Sequence, residues 1–235
     1  MNPADPNVGS VEMVAAALGE LREELVLVGG CAASLLIDAP TAPPPRVTYD
    51  VDLIAVVAAL PGYHRLEKRF AEHGFERDTS PDAPICRWRI RNLIVDLMPT
   101  DERVLGFSNR WYTEAAASAN RCMLPSGTAI RLISAPAFAA TKFEAFHHRG
   151  HSDVLASHDL EDIINVIEGR TVFVEEVRAA QPALQTYLAK QFANLIATRN
   201  FFELLPGLIA HDALHARRVA AVNRRLVELG ALDAA

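Results

Sequence analysis

The sequence contains little cysteine and no excess of basic residues. Its three cysteines, Cys31, Cys86 and Cys122, are widely spaced and form no CxxC pair, so neither a disulfide framework nor a zinc knuckle is indicated. The formal net charge is −6 and the sequence pI is about 5.8, so no global basic field draws the chain to nucleic acid or to an anionic membrane. A nucleic-acid partner would therefore need a local basic patch, and the cysteine usage fits a reducing cytoplasm.

Long hydrophobic runs are also absent. Even the apolar stretch 25–37 is interrupted by two glycines and falls short of the roughly 18 continuous apolar residues that a bilayer-spanning helix needs. Residues 1–10 have neither a basic start nor an apolar core, so they are unlike a signal peptide. We therefore expect a cytoplasmic protein with no membrane segment, and 235 residues allow one large domain or two small ones.

Strand-like runs lie mainly in the first part of the chain, and helical repeats dominate the last part. Short apolar runs bounded by turn residues predict strands over 25–28, 50–57, 85–90, 93–98 and 128–133, the third and fourth as an antiparallel hairpin. Apolar residues at helical spacing predict helices over 11–23, 31–37, 61–73, 136–149, 157–168, 172–202 in one or two pieces, and 215–229. The pattern favours an α+β fold, with a small mixed sheet flanked by helices in a domain 1–134 and a helical domain 135–235.

Two carboxylates stand two residues apart at the start of a predicted strand. Because side chains alternate along a strand, Asp50 and Asp52 point to the same face. Carboxylates this close repel each other unless a cation neutralises them, and Mg²⁺ prefers such oxygen ligands together with substrate phosphates. The alternative is a solvated turn, but the pair runs directly into the apolar stretch 53–57, which has no reason to begin with unpaired carboxylates.

Two further features belong with this pair. Gly29 and Gly30 lie between a predicted strand and a predicted helix, where glycine allows a ligand to approach the backbone and helix amides can hold phosphate; the alternative is a purely steric role. Asp96 is a lone carboxylate in the apolar strand 93–98, and burying it unpaired would cost several kcal/mol. A metal ion shared with Asp50 and Asp52 would account for it.

The order of these motifs resembles the polymerase-beta-type nucleotidyltransferase superfamily, and most closely its branch of AbiEii-type abortive-infection toxins. The resemblance depends on five parts of the sequence: Gly29-Gly30, 46–53 (RVTYDVDL), Asp96, the lysine-bearing helix 142–149 and the acidic segment 158–162. A basic residue usually precedes the acid of the last motif, whereas this sequence has His158 there. The likeness covers about 26–167, and the last sixty or so residues carry no motif that we can assign.

The resemblance implies an N-terminal nucleotidyltransferase domain with a nucleoside triphosphate as substrate and two Mg²⁺ or Mn²⁺ ions as cofactor. It implies catalytic roles for Asp50, Asp52, Asp96, Lys142 and Asp159, of which the first three also bind metal. It implies nucleotide binding by Gly29, Gly30, Thr48, Lys142 and Arg149. The implied acceptor is a tRNA end, a protein or an aminoglycoside, and a toxin of this branch would have an antitoxin protein as partner.

Several of these residues have another interpretation. Lys142 and Arg149, seven apart on one helix, either present two cations to a triphosphate or form an exposed basic face, since Phe143 and Phe146 should pack inward. Asp159 is either catalytic or the N-cap of a helix, with Asp162 in the first turn.

Two alternative functions also stay open at this stage. A set of four histidines suggests a metal-dependent phosphohydrolase, although such clusters are also found as polar surface: His147, His148, His151 and His158. The other alternative is a non-catalytic chain that keeps the fold and acts as a binding partner, and metal-independent function would distinguish it.

Overall fold

The predicted strands join in one mixed sheet. The computed structural model describes residues 5–40, 42–149 and 154–232. Within this part the sheet has seven strands in the order β3-β4-β5-β2-β1-β7-β6. The strands are β1 (Leu25–Val28), β2 (Asp50–Ala55), β3 (Glu76–Arg77), β4 (Arg87–Ile90), β5 (Leu93–Pro99), β6 (Asn120–Met123) and β7 (Ala129–Leu132). This mixed sheet, with its accompanying helices, confirms the predicted α+β class.

Strand β2 lies at the centre of the sheet, between β1 and β5. It pairs antiparallel with β1, so that Asp52 lies opposite Val28, and parallel with β5, so that Asp52 lies opposite Asp96. Strands β4 and β5 form the antiparallel hairpin that the sequence predicts, and Arg91 at its turn takes a positive φ of 53°. The hairpin therefore places β4 one strand beyond β5, next to the strand that carries Asp96.

In the described part of the chain, five α-helices accompany the sheet: α1 (Pro6–Leu18), α2 (Gly29–Leu36), α3 (Leu60–Glu72), α4 (Glu102–Leu105) and α5 (Tyr112–Ala117). The helix α1 begins at Pro6 because the Asp5 side chain accepts a hydrogen bond from the Asn7 amide, and it continues into a 3₁₀ helix over Gly19–Glu24. Apolar residues of α1 line one space together with Val51 and Leu53 of β2. Because side chains alternate along β2, Asp50 and Asp52 face the other side of the sheet.

The second part of the chain is helical. Six α-helices lie in its described residues: α6 (Ala135–His148), α7 (His158–Gly169), α8 (Phe173–Arg178), α9 (Pro182–Ala197), α10 (Phe201–Leu204) and α11 (His215–Gly230). Phe143, Phe173 and Phe192 are fully buried in its core, where the ring of Phe192 meets the other two edge-on. Among the helices of the described part, none combines the length and the apolar character that crossing a membrane requires.

The chain separates into two compact units. The first comprises the residues up to Leu35 together with Arg46–Ser134, and the second comprises Leu36–Pro45 together with the residues from Ala135 onward. The segment 36–45 thus packs with the helical unit, whereas the sequence-based division assigned it to the first domain. The division into domains 1–134 and 135–235 stays a prediction, because compactness does not show that each part folds alone.

Several boundaries differ from the predicted ones. The predicted helix 172–202 is divided among α8, α9 and α10, since Pro182 begins a new helix and Asn200 takes a positive φ of 60° before α10. The edge strands β3 and β6 were not predicted, because β3 is only two residues long and most residues of both strands are exposed. Without a buried face, neither strand has the alternation that identifies a strand in a sequence.

Candidate functional site

Asp50, Asp52 and Asp96 meet on one face of the sheet. The parallel register of β2 and β5 sets Asp52 directly beside Asp96, and Asp50 lies two residues earlier on the same face of β2. One carboxylate oxygen from each of the three lies within 4.8 Å of the others. Among the described residues this is the only group of three or more acidic, histidine or cysteine side chains close enough to hold a metal ion. We name these three residues the carboxylate triad.

Arg87 provides a cation at the triad, and the sequence analysis did not identify it. On β4 it lies opposite Asp96, and its Nε and Nη2 donate to the two carboxylate oxygens of Asp96 at 2.9 and 2.7 Å. Its Nη2 also lies 3.9 Å from Oδ2 of Asp50. The hydrogen bonds with Asp96 hold the pKa of Arg87 above its usual range, so the guanidinium stays charged. Arg87 already pairs with Asp96, so a metal ion is not needed to account for this carboxylate, and its role as a metal ligand stays a prediction.

Gly29 and Gly30 give the triad the space that it occupies. Gly29 takes a φ of +67°, and a Cβ built on it would lie 1.7 Å from Oδ2 and 2.7 Å from Cβ of Asp52. A Cβ on Gly30 would lie 2.4 Å from Cγ2 of Thr48. A larger residue at position 29 would therefore displace Asp52 of the acidic pair, and one at position 30 would displace Thr48, which precedes the pair. This geometry gives the glycine pair a steric role, and its role in phosphate binding stays a prediction.

A buried polar network fixes the segment that leads into β2. The Thr48 amide donates to Oδ1 of Asn7 at 2.9 Å, and Nδ2 of Asn7 donates to the carbonyl of Arg46 at 2.9 Å. The Thr48 hydroxyl lies 2.9 Å from Sγ of Cys31, which also donates to the Asp50 carbonyl at 3.3 Å. Burial raises the pKa of the Cys31 thiol to about 12, so it remains a neutral donor. Thr48, predicted to bind nucleotide, is thus buried and contacts the chain around Asp50.

Lys142 is buried, so the alternative that places it on an exposed basic face is wrong. Only 9% of the residue is accessible, and its Nζ lies 3.1 Å from Oδ1 of Asp159 and 2.7 Å from Oδ2 of Asp162. Arg149 is largely exposed, yet its Nη1 reaches Oδ2 of Asp159 at 2.6 Å. The helical repeat does not record that both carboxylates of α7 turn toward Lys142, so the sequence alone could not place this lysine inside.

Asp159 is not the N-cap of α7, which corrects the alternative assignment. Ser157 is the cap, and its hydroxyl accepts a hydrogen bond from the Leu160 amide. Asp159 lies in the first turn and Asp162 one turn later, and both are almost completely buried. The two acids therefore belong to an ion-pair cluster with Lys142 and Arg149 inside the second unit, and the catalytic role of Asp159 stays a prediction.

Three of the four histidines of the phosphohydrolase hypothesis lie among the described residues, and each contacts a different polar side chain. His147 contacts Gln191, His148 contacts Glu144 and His158 contacts Glu161. None of these three belongs to a potential metal-binding group among the described residues. His151, the fourth histidine of the phosphohydrolase hypothesis, lies outside the described residues.

Comparison with known proteins gives a likeness in fold. No family model matches the chain, and no curated protein matches its sequence. The structure resembles an antigenic nucleotidyltransferase-like protein from Paracoccidioides brasiliensis, with a TM-score of 0.52 and 22% identity over 87% of this chain and 93% of that one.

Two structures of the antibiotic-resistance factor ANT(2'')-Ia are also similar. A solution structure has a TM-score of 0.49 and 17% identity over 80% of this chain and 94% of that one. A crystal structure in complex with adenylyl-2''-tobramycin has a TM-score of 0.44 and 17% identity over 77% and 97%. The likeness to the Paracoccidioides brasiliensis protein supports a fold shared with a nucleotidyltransferase-like protein, and it does not single out the AbiEii branch.

The close approach of Gly29 to Asp52 leads to a first prediction. We expect Gly29→Ala to lower stability by more than about 1–2 kcal/mol, because the overlap with Asp52 adds to the cost of a left-handed backbone in a residue with a Cβ. We also expect it to abolish Mn²⁺ binding, because the new Cβ displaces the Asp52 carboxylate. Chemical denaturation and isothermal titration calorimetry measure the two effects.

A matched control separates backbone strain from crowding. Gly74 has a φ of +83° and no atom within 4 Å of a Cβ built on it. Gly74→Ala should therefore lose only about 1–2 kcal/mol, the cost of the left-handed backbone, and still bind Mn²⁺ like the unmodified protein. Normal Mn²⁺ binding by Gly29→Ala would show that the crowding at Asp52 is unimportant.

The buried cluster leads to a second prediction, on stability. Removing one partner of a buried ion pair leaves an uncompensated charge, so Lys142→Ala should destabilise the protein by about 3 kcal/mol or more. Lys190, an exposed lysine on α9, is the matched control, and Lys190→Ala should change stability by no more than about 0.5 kcal/mol. Urea denaturation measures both, and equal stabilities of the two variants would contradict the role of Lys142 in the cluster.

Proposed function

We propose that this chain transfers a nucleoside monophosphate from a nucleoside triphosphate to an acceptor hydroxyl, with a divalent metal ion at the carboxylate triad. One observation carries the proposal: three carboxylates lie within 4.8 Å of one another on one face of the sheet. Their arrangement depends on a glycine at position 29, which has no room for a Cβ. The resemblance of the motifs in sequence and the fold shared with a nucleotidyltransferase-like protein support the same activity.

The donor atoms at the triad suit Mg²⁺ or Mn²⁺. All three side chains offer hard carboxylate oxygens, and the charge they concentrate already attracts the guanidinium of Arg87. Asp50 and Asp52 would each offer oxygens to both ions, and Asp96 would hold the ion on the acceptor side. When bound, the ions lower the pKa of the acceptor hydroxyl and stabilise the departing pyrophosphate.

The chain's own groups then have defined tasks in the transfer. The acceptor oxygen forms a bond to the α-phosphorus while the bond from that phosphorus to the bridging oxygen breaks, and the pyrophosphate leaves with the electron pair. Asp96 takes the proton of the acceptor hydroxyl. The backbone at Gly29 and Gly30, which lies against Asp52 and Thr48, would hold the phosphates through its amides.

Lys142, Arg149 and Asp159 are proposed to act in nucleotide binding and catalysis on the strength of the family resemblance alone. Their contacts within the second unit already give them a structural role, since Asp159 accepts from both basic residues. A loss of activity in a variant of this cluster therefore bears on catalysis only when the folding of that variant is measured as well.

Three classes of acceptor need to be compared. Toxins of the branch that the sequence resembles modify tRNA ends, and such a toxin would be paired with an antitoxin protein. Other members of the superfamily modify proteins or aminoglycosides, and the ANT(2'')-Ia complex contains an adenylylated aminoglycoside. Because one fold serves many substrates, the acceptor must be found by experiment.

The third prediction tests transfer itself. Each of the four nucleoside triphosphates, labelled at the α-phosphate, is incubated with the protein, Mg²⁺ and either total RNA, lysate protein or a set of aminoglycosides. We expect label to appear in one acceptor class. Asp52→Asn should lower the rate by about 100-fold or more, the scale for losing a group that stabilises charge in the transition state.

The control for this assay is a carboxylate away from the triad. Asp82 is exposed, and Asp82→Asn should transfer label at the unmodified rate. The Asp52→Asn protein should remain folded, because the change relieves repulsion within the triad. Transfer by Asp52→Asn at the rate of Asp82→Asn would refute the assignment of the triad.

The fourth prediction concerns substrate binding without turnover. A non-hydrolysable nucleoside triphosphate and Mg²⁺ complete each other's coordination, so together they should raise Tm far more than either one alone. At 100 times Kd the stabilisation is about 2.7 kcal/mol, which corresponds to about 5–10 °C for a chain of this length. Asp50→Asn should abolish this joint effect, whereas purely additive shifts in the unmodified protein would contradict shared coordination.

A further inference from the structure

Arg87 is aligned with the carboxylates by the strand register. The pairings Asp52 with Asp96 and Asp96 with Arg87 form one row across β2, β5 and β4, and directly paired residues share a face of the sheet. The side chain of Arg87 is 24% exposed and that of Asp96 is 10% exposed, so solvent screens their attraction only in part. The guanidinium is therefore a fixed part of this face.

The contact of Arg87 with Asp96 uses the oxygens that a metal ion would need. Both carboxylate oxygens of Asp96 accept from the same guanidinium, in the two-pronged geometry that is the strongest form of this pair. Asp50 is held less closely, since its Oδ2 lies 3.9 Å from Nη2 of Arg87. Arg87 thus competes little with a divalent ion at Asp50, whereas an ion that binds Asp96 must displace Arg87.

We propose that Arg87 is an internal cation that competes with the acceptor-side metal ion for Asp96, so that the triad binds its two metal ions in unequal steps. The proposal rests on the proposed function, because it requires that the triad binds metal. The first ion binds at Asp50 and Asp52, and the second binds firmly only when substrate phosphates add further ligands. Both metal ions are then bound firmly only when nucleotide is present. In the absence of nucleotide, Arg87 holds Asp96 in position.

The same strand provides a matched control. Arg89 lies two residues after Arg87 on the same face of β4, but its Nε donates to Oδ2 of Asp78 at 2.8 Å. Arg89 therefore has the same charge as Arg87 and lies on the same face of the same strand, but without the contact to Asp96. Any effect of removing Arg87 that is specific to the triad should be missing when Arg89 is removed.

The test counts Mn²⁺ ions and measures their affinities in the absence of nucleotide, by calorimetry and by electron paramagnetic resonance of free Mn²⁺. We expect one Mn²⁺ to bind the unmodified chain clearly more tightly than the second. In Arg87→Met the second ion should bind at least about tenfold more tightly than in the unmodified chain, because it no longer has to displace a charge-assisted hydrogen-bonded pair. Arg89→Met should bind Mn²⁺ like the unmodified chain.

Stability gives a second readout that does not depend on activity. Without metal, Arg87→Met should have a lower Tm because Asp96 loses its partner, and saturating Mn²⁺ should raise the Tm of this variant more than that of the unmodified chain. Removing the carboxylate charge as well, in Arg87→Met with Asp96→Asn, should recover much of the lost Tm.

The possible outcomes separate this inference from the proposed function. If the unmodified chain binds Mn²⁺ and Arg87→Met binds it with the same affinities, the proposed competition is wrong and the proposed metal site stands. No Mn²⁺ binding in either protein overturns both. If Arg87→Met does not fold, Arg87→Lys decides, because lysine keeps the charge but cannot hold both oxygens of Asp96. An unchanged second affinity in Arg87→Lys would then overturn the competition.

Discussion

The mutual repulsion of three carboxylates on one sheet face is the constraint on which the rest of this site depends. The backbone pairing of β2 and β5 fixes the distance between Asp52 and Asp96, so the side chains cannot relieve the repulsion by moving far apart. A cation must therefore be supplied, and Arg87 supplies it within the chain. The carboxylate triad and Arg87 on β4 therefore form one arrangement, in which the positive guanidinium offsets part of the negative charge of the three carboxylates.

The surroundings of the triad are set by close contacts. Gly29 allows the Asp52 carboxylate to lie against the backbone at the start of α2, and Gly30 does the same for Thr48. The network of Asn7, Cys31 and Thr48 holds the approach to β2 from several sides, although these residues are far apart in sequence. Together these contacts preorganise the acidic pair, which a reaction that develops charge requires.

The helical unit uses charge differently. Asp159 and Asp162 surround Lys142 inside the unit, where each ion is shielded from water and each depends on its partners. A lysine in this setting is part of the core as much as Phe143 beside it. Buried clusters of this kind add little net stability but make the loss of any one member costly, so structural and catalytic roles must be measured separately.

The sequence by itself determined the features that follow from local periodicity: the α+β class, the β4–β5 hairpin and the shared face of Asp50 and Asp52. It also contained the pairing of Arg87 with Asp96, because a two-residue turn at 91–92 fixes the register of the hairpin. Only the tertiary structure decided that β5 lies parallel beside β2, that Gly29 has no room for a Cβ, and that Lys142 is buried. These depend on contacts between residues distant in sequence, which no local repeat records, since strand neighbours and buried partners are chosen by the packing of the whole unit.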